Sequence, residues 1–332
     1  RMTSTMPCGV RILGTGSCVP DDILGNEELA KRFDVDVAWI EQRTGIVERR
    51  LCSEGEGTFE LQTRALKKAL KDAGIKGSDL SLIICASVTS EMTCPSNACR
   101  LSAEVNAAPA GAFDIIAACS GFVYAMNLAD SLIRSGTQHT IAVVGCDAMS
   151  KLTDSLDRGT SILFGDAAGA VILQKCDDPE IGCFYQTMNA NGEPWPALYI
   201  PSCEEEVVEG DTATTTYGKL RMRGKEVYKF AVTTFQQIAE TLLEETGLTP
   251  KDVSQFICHQ SNMRIIESAQ AKLGLPDEKV YKNISHFGNS SAGAAALCFD
   301  QLWQDGKINR GDVIVLLAFG GGLTWASSAW RI

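Results

Sequence analysis

The chain has 332 residues, 45% of them hydrophobic, enough to bury a large core in one big domain or two fused halves. Its net charge of −11 argues against general binding to nucleic acid or to an anionic membrane. The 13 cysteines are odd in number and scattered, many in apolar runs (Cys85, Cys146, Cys258, Cys298), which fits reduced thiols rather than a disulfide framework; with no Cys-x-x-Cys pair, no structural zinc is expected.

At the N-terminus Arg1 precedes Met2, with no signal-peptide pattern, and no apolar run downstream approaches membrane-spanning length. The expected location is the cytoplasm, or an organelle stroma after removal of a transit peptide. Residues 10–14 read as a first strand, 27–33 and 37–42 as short helices, and 58–73 as an amphipathic helix with Leu61, Ala65, Ala69 and Leu70 on one face. Residues 82–88 lack polar alternation, as in a parallel or mixed sheet buried between helix layers. Pro95 opens a helix through 105. Further buried strands are expected at 140–144 and 170–173, the second after the glycine turn Phe164-Gly165-Asp166. Residues 175–220, with their Gly, Pro and the acidic run Glu204-Glu205-Glu206, read as irregular surface with short strands. Helices follow at 227–246 and 262–273, strands at 256–258 and 313–318, and a last strand runs through Trp330 after Gly320-Gly321-Gly322.

Between the first strands and this second set lies Asp114-Ile115-Ile116-Ala117-Ala118-Cys119-Ser120-Gly121-Phe122. It reads as a buried strand, a tight turn at small residues and a helix starting near Cys119, with Gly136 as its stop. A cysteine at a helix start meets unpaired N–H groups and the positive end of the dipole, which favour thiolate. Two readings of Cys119 stand side by side: a small core filler, or a nucleophile at a strand-to-helix turn.

The second half echoes the first. Cys119 placed on Asn289, an offset of 170 positions, also brings Asp130 onto Asp300, Leu132 onto Leu302 and Gly136 onto Gly306. Leu82-Ile83-Ile84-Cys85 and Ser96-Asn97 find counterparts in Gln255-Phe256-Ile257-Cys258 and Ser261-Asn262, and Phe164-Gly165-Asp166 in Phe319-Gly320-Gly321. The matches fall in chain order, so a duplicated α/β unit is expected, with Cys119 and Asn289 at equivalent helix starts facing one central space. The expected division is 1–177 and 178–332.

Of the three histidines, His139 sits in a polar turn and His286 reads as structural. His259 follows a strand, where α/β sites gather, although a satisfied core histidine reads equally from its neighbours. Cys, His and Asn at separate element ends make a covalent site: the thiol takes an acyl group, and a neutral His and an amide donate to a developing enolate oxygen. Glycines 320–322 offer a backbone N–H for an oxyanion. No carboxylate stands at an obvious base position, which suits decarboxylation better than proton abstraction.

Four motifs carry a family resemblance: Ala117-Ala118-Cys119-Ser120-Gly121-Phe122, His259-Gln260-Ser261-Asn262-Met263-Arg264-Ile265, Gly288-Asn289-Ser290-Ser291-Ala292 and Ala318-Phe319-Gly320-Gly321-Gly322. Together they resemble the thiolase superfamily, and within it the β-ketoacyl-acyl-carrier-protein synthase III family, from about residue 8 to the end. The resemblance implies an α/β fold of five layers, αβαβα, built from two duplicated halves, and a homodimer. It implies a catalytic triad of Cys119, His259 and Asn289, and an oxyanion hole from the N–H groups of Cys119 and Gly321. Trp39, Arg43, Arg158 and Asn262 match a coenzyme A site, chemically sensible because an indole and a guanidinium plane can clamp a purine. Lys229 and Arg264 match the contact with an acidic carrier protein. They lie in or beside Lys219-Leu220-Arg221-Met222-Arg223-Gly224-Lys225-Glu226-Val227-Tyr228-Lys229, which holds five basic residues and otherwise reads as a solvated basic face. Cys94, Phe164 and Phe319 are assigned to the acyl pocket.

Two departures stand out. Cys94 replaces a Phe that closes the partner's acyl pocket in the family, and Lys225 replaces an Asn near the pantetheine arm. The implied activity is decarboxylative Claisen condensation of an acyl-CoA primer with malonyl-acyl-carrier protein, an acyltransferase reaction that starts fatty-acid synthesis and needs no cofactor, acyl-CoA being a substrate. The alternatives are a ketide- or quinolone-forming synthase or an acyltransferase on the same fold, and more remotely a silent scaffold subunit, which would be expected to lack the nucleophile. Elongating synthases carry a second His where Asn289 stands, thiolases a second Cys where glycines stand, and HMG-CoA synthase a Glu base that has no place here.

Overall fold

The computed structural model describes residues 8–209, 211 and 217–332; the Arg1-Met2 start lies outside them. The chain runs β1 (Gly9–Cys18), β2 (Asp22–Gly25), α1 (Asn26–Phe33), α2 (Val37–Thr44), β3 (Glu48–Leu51), α3 (Thr58–Ala73), β4 (Leu82–Ala86), α4 (Asn97–Glu104), β5 (Gly111–Ile115), α5 (Gly121–Arg134), β6 (Thr140–Ala148), α6 (Arg158–Ser161) and β7 (Asp166–Cys176). It continues through β8 (Gly182–Ala190), β9 (Leu198–Tyr199), β10 (Arg221–Met222), α7 (Gly224–Thr246), β11 (Gln255–Cys258), α8 (Met263–Leu273), α9 (Ile284–Phe287), α10 (Ala292–Gln304), β12 (Val313–Gly320) and β13 (Thr324–Arg331).

The duplication is visible in the sheets. The first has the order β1-β7-β6-β4-β5 and the second β8-β13-β12-β11. Exchanging β1 for β8, β7 for β13, β6 for β12 and β4 for β11 gives the same order and the same sense at every pair. Only β4–β6 and its counterpart β11–β12 are parallel; the other matched pairs are antiparallel. The fifth strand leaves a trace in the second sheet. Val280 bridges in parallel to Phe256 on β11, as β5 pairs in parallel with β4.

Strict side-chain alternation builds the layers. On β4, Leu82, Ile84 and Ala86 face a central cluster, while Ile83 and Cys85 face outward against Leu61, Ala65 and Leu66 of α3. On β12, Ile314, Leu316 and Ala318 face the same central cluster, while Val315, Leu317 and Phe319 meet Phe235 and Ile238 of α7 and Ile266 of α8. The central cluster is filled by α5 (Phe122, Met126, Ile133) and α10 (Ala295, Phe299, Leu302). The result is five layers: α3 and α4, the first sheet, α5 and α10, the second sheet, then α7 and α8. Both faces of each sheet are covered, which is why the strands read as unbroken apolar runs.

Several expected boundaries shift. β1, β6 and β7 are each longer than the sequence pattern indicated. In β1 the pattern is masked by glycine: a Cβ on Gly16 would fall 2.4 Å from the backbone N of Ala69, so glycine lets α3 lie close on the strand. Pro95 does not open α4. Ser96 is the N-cap, accepting from the Cys99 N–H at 3.2 Å, and the helix starts at Asn97. The segment 175–220 is less irregular than its composition implied. It contains the nine-residue strand β8, which pairs with β13 as a sheet edge. Its Gln186, Thr187 and Asn189 interrupt the apolar pattern and hid it, Gln186 Nε2 reaching Ser131 Oγ at 3.0 Å and Thr187 Oγ1 lying 2.8 Å from Ser327 Oγ.

Candidate active site

The chain turns sharply between β5 and α5. Cys119 does not lie in the helix itself but in a single 3-10 turn, Ala118–Ser120, that leads into it. Ala118 takes the left-handed conformation at φ 46°, and Gly288, at the equivalent place before Asn289, has φ 65°. Both halves thus bend the chain one residue ahead of the special side chain. The two following helices touch at their starts: a Cβ on Gly121 would lie 3.7 Å from the Cβ of Ala292.

The turn is held from the second half. Thr324 Oγ1 lies 3.1 Å from the Ala117 carbonyl and from Ser120 Oγ. Gly320 packs so closely that a Cβ there would sit 2.7 Å from the Cys119 nitrogen, so this strand end admits only glycine. Asn289 is fixed on both sides of its backbone. Its N–H donates to Leu163 O at 2.8 Å, and its carbonyl accepts from Gly165 N at 3.0 Å. Its Oδ1 accepts from the Ser291 N–H at 2.9 Å, which leaves Nδ2 as the donor for the cavity the residue lines. His259 caps β11, its N–H donating to Leu317 O at 2.8 Å, and meets the edge of Phe319 at 5.5 Å between ring centroids. Its Nδ1 is buried and has no partner among the described residues.

A cavity of about 730 Å³ joins these groups. Cys119, His259, Asn289, Phe164 and Phe319 line its buried end, and Trp39, Arg43, Arg158, Asn262 and Arg264 its open end. Arg43 and Arg158 lie 5.2 and 4.9 Å from the centre of the Trp39 ring. Asn262 is the N-cap of α8, accepting from Arg264 N at 2.9 Å, and donates to the Arg43 carbonyl at 3.1 Å. It therefore ties the end of α2 to the start of α8 at the cavity mouth.

Burial governs the electrostatics. It pushes the Cys119 thiol up to about 12, against the thiolate-favouring helix start expected from sequence, and the hydrogen bond from Ser291 only partly offsets it. Burial alone pushes His259 down to about 3, so its imidazole is neutral. Among the described residues no three His, Cys, Asp or Glu side chains gather as a metal site.

Three assigned residues do not line this cavity. Cys94 is exposed, Lys229 is exposed on α7, and Gly321 sits just behind Gly320. The basic stretch also divides. Lys219 Nζ is spent on the carbonyls of Lys151 and Thr153, Arg221 is buried, and Arg223 pairs with Asp211 at 3.3 Å. Lys225, Lys229 and Arg264 remain as exposed cations. Sequence reasoning gave no role to Asp147 or Ser291, both buried beside Cys119. The available signal was a lone carboxylate in the otherwise apolar run 140–148.

Two sheets of one strand order around a central helix pair, with a cavity ending on a cysteine at the helix start, define a thiolase-type condensing enzyme. The family model described as 3-oxoacyl-[acyl-carrier-protein] synthase III matches residues 113–192, and its C-terminal counterpart matches residues 243–332. The β-ketoacyl-[acyl-carrier-protein] synthase III of Caldanaerobacter subterraneus subsp. tengcongensis is 41% identical, over 96% of each chain. The solved 3-oxoacyl-[acyl-carrier-protein] synthase III of Aquifex aeolicus superposes with a TM-score of 0.90 at 38% identity, covering 98% of this chain and 100% of its own. The priming β-ketosynthase of the R1128 polyketide pathway gives 0.89 at 32% identity, covering 97% of this chain and 96% of its own. The chain belongs to the β-ketoacyl-acyl-carrier-protein synthase III family and is an acyl-transferring condensing enzyme.

Proposed function

We propose that this enzyme joins an acyl-CoA primer to malonyl-acyl-carrier protein, releasing CoA and carbon dioxide and giving 3-oxoacyl-acyl-carrier protein, and so initiates fatty-acid synthesis. The observation that carries the proposal is the single cavity running from the Trp39–Arg158 pair to Cys119, with His259 and Asn289 on its walls. In the first half-reaction the adenine of CoA rests against Trp39 between Arg43 and Arg158, and the Cys119 thiolate attacks the thioester carbon. The acyl–sulfur bond to CoA breaks and CoA leaves as the thiol. In the second, the malonyl group loses carbon dioxide. The enolate oxygen accepts from the Nδ2 group of Asn289 and from Nε2 of neutral His259, whose own proton must then sit on Nε2. The carbanion attacks the acyl-Cys119 carbonyl, whose oxyanion faces the N–H groups of Cys119 and Gly321, and Cys119 is released. Every electron pair comes from the thiol or the departing carboxylate, so the reaction calls for no cofactor.

The reading extends to assembly. The two halves divide at 177/178, and the enzyme works as a homodimer, in the cytoplasm or an organelle stroma. The dimer is supported by β5, whose outer edge has no strand partner among the described residues, and by the 81% exposed Ile116 that follows it. Cys94, off its own cavity, closes the partner's acyl pocket. A second reading, priming of a secondary-metabolite ketide, is favoured by the likeness to the R1128 priming enzyme.

The test separates the half-reactions. Cys119→Ser should lose acylation by acyl-CoA altogether, because a hydroxyl is a far weaker nucleophile. His259→Ala and Asn289→Ala should still take the acyl group, followed by intact mass, yet fail to release carbon dioxide from malonyl-acyl-carrier protein. Equal loss of acylation in all three variants overturns the division of labour. Mass spectrometry of Cys119 after exposure to mixed acyl-CoA identifies the primer.

A further inference from the structure

Arg49 on β3 is fully buried, one of the largest side chains in the interior, and the scheme above gives it no task. Its guanidinium reaches two parts of the chain. Nη1 donates to the Leu24 carbonyl at 3.1 Å and to Asn26 Oδ1 at 2.9 Å, at the junction of β2 and α1. Nη2 donates to the Ile162 carbonyl at 2.8 Å, at the end of α6. Ile162 belongs to the stretch of cavity wall that runs from Arg158 at the mouth to Phe164 at the inner end. The next carbonyl, that of Leu163, accepts from the Asn289 N–H at 2.8 Å, and Phe164 and Asn289 form a parallel bridge. The Arg49 stem lies against both sides of that bridge. A Cβ on Gly165 would fall 3.0 Å from the Arg49 Cβ, and one on Gly288 3.1 Å.

We propose that Arg49 is the positioning residue of Asn289. Its guanidinium fixes the Ile162–Leu163 peptide against the β2–α1 junction, and that peptide holds the Asn289 backbone so that Nδ2 meets the enolate oxygen. The proposal rests on Asn289 acting in the decarboxylation. Arg49 does not line the cavity, so it acts through Asn289 and not on the substrate.

The chemistry of the side chain fits this task better than a packing role. Among the described residues its hydrogen bonds go to two carbonyls and an amide oxygen, none to a carboxylate. A buried guanidinium without a hydrogen-bonded counter-charge is a costly way to fill space that an apolar side chain could fill. Burial pulls it down to about 10, so it is still a cation at neutral pH. A guanidinium offers what an ammonium does not, a planar fork, here with one nitrogen for each of two chain segments. The anchor behind it is fixed in turn: Asn26 Nδ2 donates to the Ile46 carbonyl at 2.6 Å, and the Asn26 N–H to Val47 O at 3.2 Å. The Cys119 turn depends on none of these contacts, being held by Thr324 and Gly320. Loss of the fork therefore separates the two half-reactions.

The test uses Arg49→Lys, which keeps the charge and loses the fork, and Asn26→Ala, which leaves Arg49 in place and removes one of its acceptors. Arg49→Lys should lower the maximal rate of carbon dioxide release from malonyl-acyl-carrier protein by about 10–100-fold, the scale of a displaced catalytic group. KM for malonyl-acyl-carrier protein should stay close to wild type. So should single-turnover transfer from saturating acetyl-CoA to Cys119, read by intact mass. Asn26→Ala should show the same split at smaller size. Added to Asn289→Ala, where the amide is already gone, Arg49→Lys should lower the residual rate little further, as expected of two residues that act as one unit. Unchanged carbon dioxide release in both variants overturns the proposal. A matched fall in both half-reactions, or a full further loss on top of Asn289→Ala, also overturns it and leaves Arg49 a structural residue. Asn289→Ala releasing carbon dioxide at the wild-type rate removes the reading of Asn289 itself, whatever Arg49→Lys does.

Discussion

Cys119 and His259 carry opposite formal chemistry, yet burial drives both to their neutral forms. For His259 this becomes a dependence of stability on pH. The folded imidazole takes a proton only near about 3, against 6.5 when unperturbed, so between those values the unfolded chain binds more protons. The contribution is complete above pH 6.5 and is lost as pH falls toward 3. His259→Gln, which cannot titrate, should therefore lose less melting temperature than wild type between pH 7 and pH 4; parallel curves would refute the depressed value. Gly320 makes a second residue-level case. A Cβ there meets the Cys119 backbone rather than a yielding side-chain tip. Gly320→Ala should cost about 1–3 kcal/mol in urea unfolding, as overpacking does, and should slow acylation of Cys119 more than it destabilises the fold.

At the scale of elements, the central helix pair does two things at once. α5 and α10 fill the core between the sheets, and their starts carry the Cys119 turn and Ser291. Phe299, fully buried on α10, packs in the cluster shared by both sheets. Phe299→Ala should cost about 3–5 kcal/mol in denaturant unfolding, the range for an aromatic deleted from a core. A midpoint shift no larger than that of a surface substitution would mean the layer does not bind the halves together. The polar ties at the cavity mouth are of another kind. Asn262 joins α2 to α8 by two hydrogen bonds at the surface, so its effect should show in CoA affinity more than in stability.

For the whole molecule, charge is unevenly placed. The chain is acidic at −11, yet Lys225, Lys229 and Arg264 stand exposed around or near the cavity mouth. Arg264→Glu or Lys229→Glu should weaken use of malonyl-acyl-carrier protein, with a strong dependence on salt, because surface attraction is screened over about 10 Å at 0.1 M. Acylation by acyl-CoA should change little. Equal loss of both half-reactions would place the carrier protein elsewhere. Assembly bears on the primer. If the partner's Cys94 closes the pocket, its small side chain leaves depth for longer primers, each added buried CH₂ gaining about 0.8 kcal/mol. A chain-length series on wild type and Cys94→Phe tests this: the variant should lose the longer primers, and a wild type confined to acetyl-CoA, unchanged by Cys94→Phe, would overturn it.

The layered fold was legible because its causes are local and repeated. Unbroken apolar strands such as 82–86, and the 170-position echo that sets Cys119 on Asn289, follow from alternation and duplication, which leave their period in the sequence. The candidate triad was legible for the same reason, each member lying at the end of a recognisable element. Edges and glycine-lined strands were not. β8 mixes Gln186, Thr187 and Asn189 into its run, two of them bonded to Ser131 and Ser327, and β1 carries glycine because α3 lies against it, facts of packing rather than of propensity. Tertiary structure alone decided the electrostatics. A helix start by itself favours thiolate, but burial at the inner end of the cavity reversed that at Cys119. It also decided which cations are free, since Lys219 and Arg223 found partners far away in sequence or across a loop. Asp147 lies 145 positions before Ala292 in the numbering, and only folding brings its carboxylate to the Ala292 N–H that opens α10.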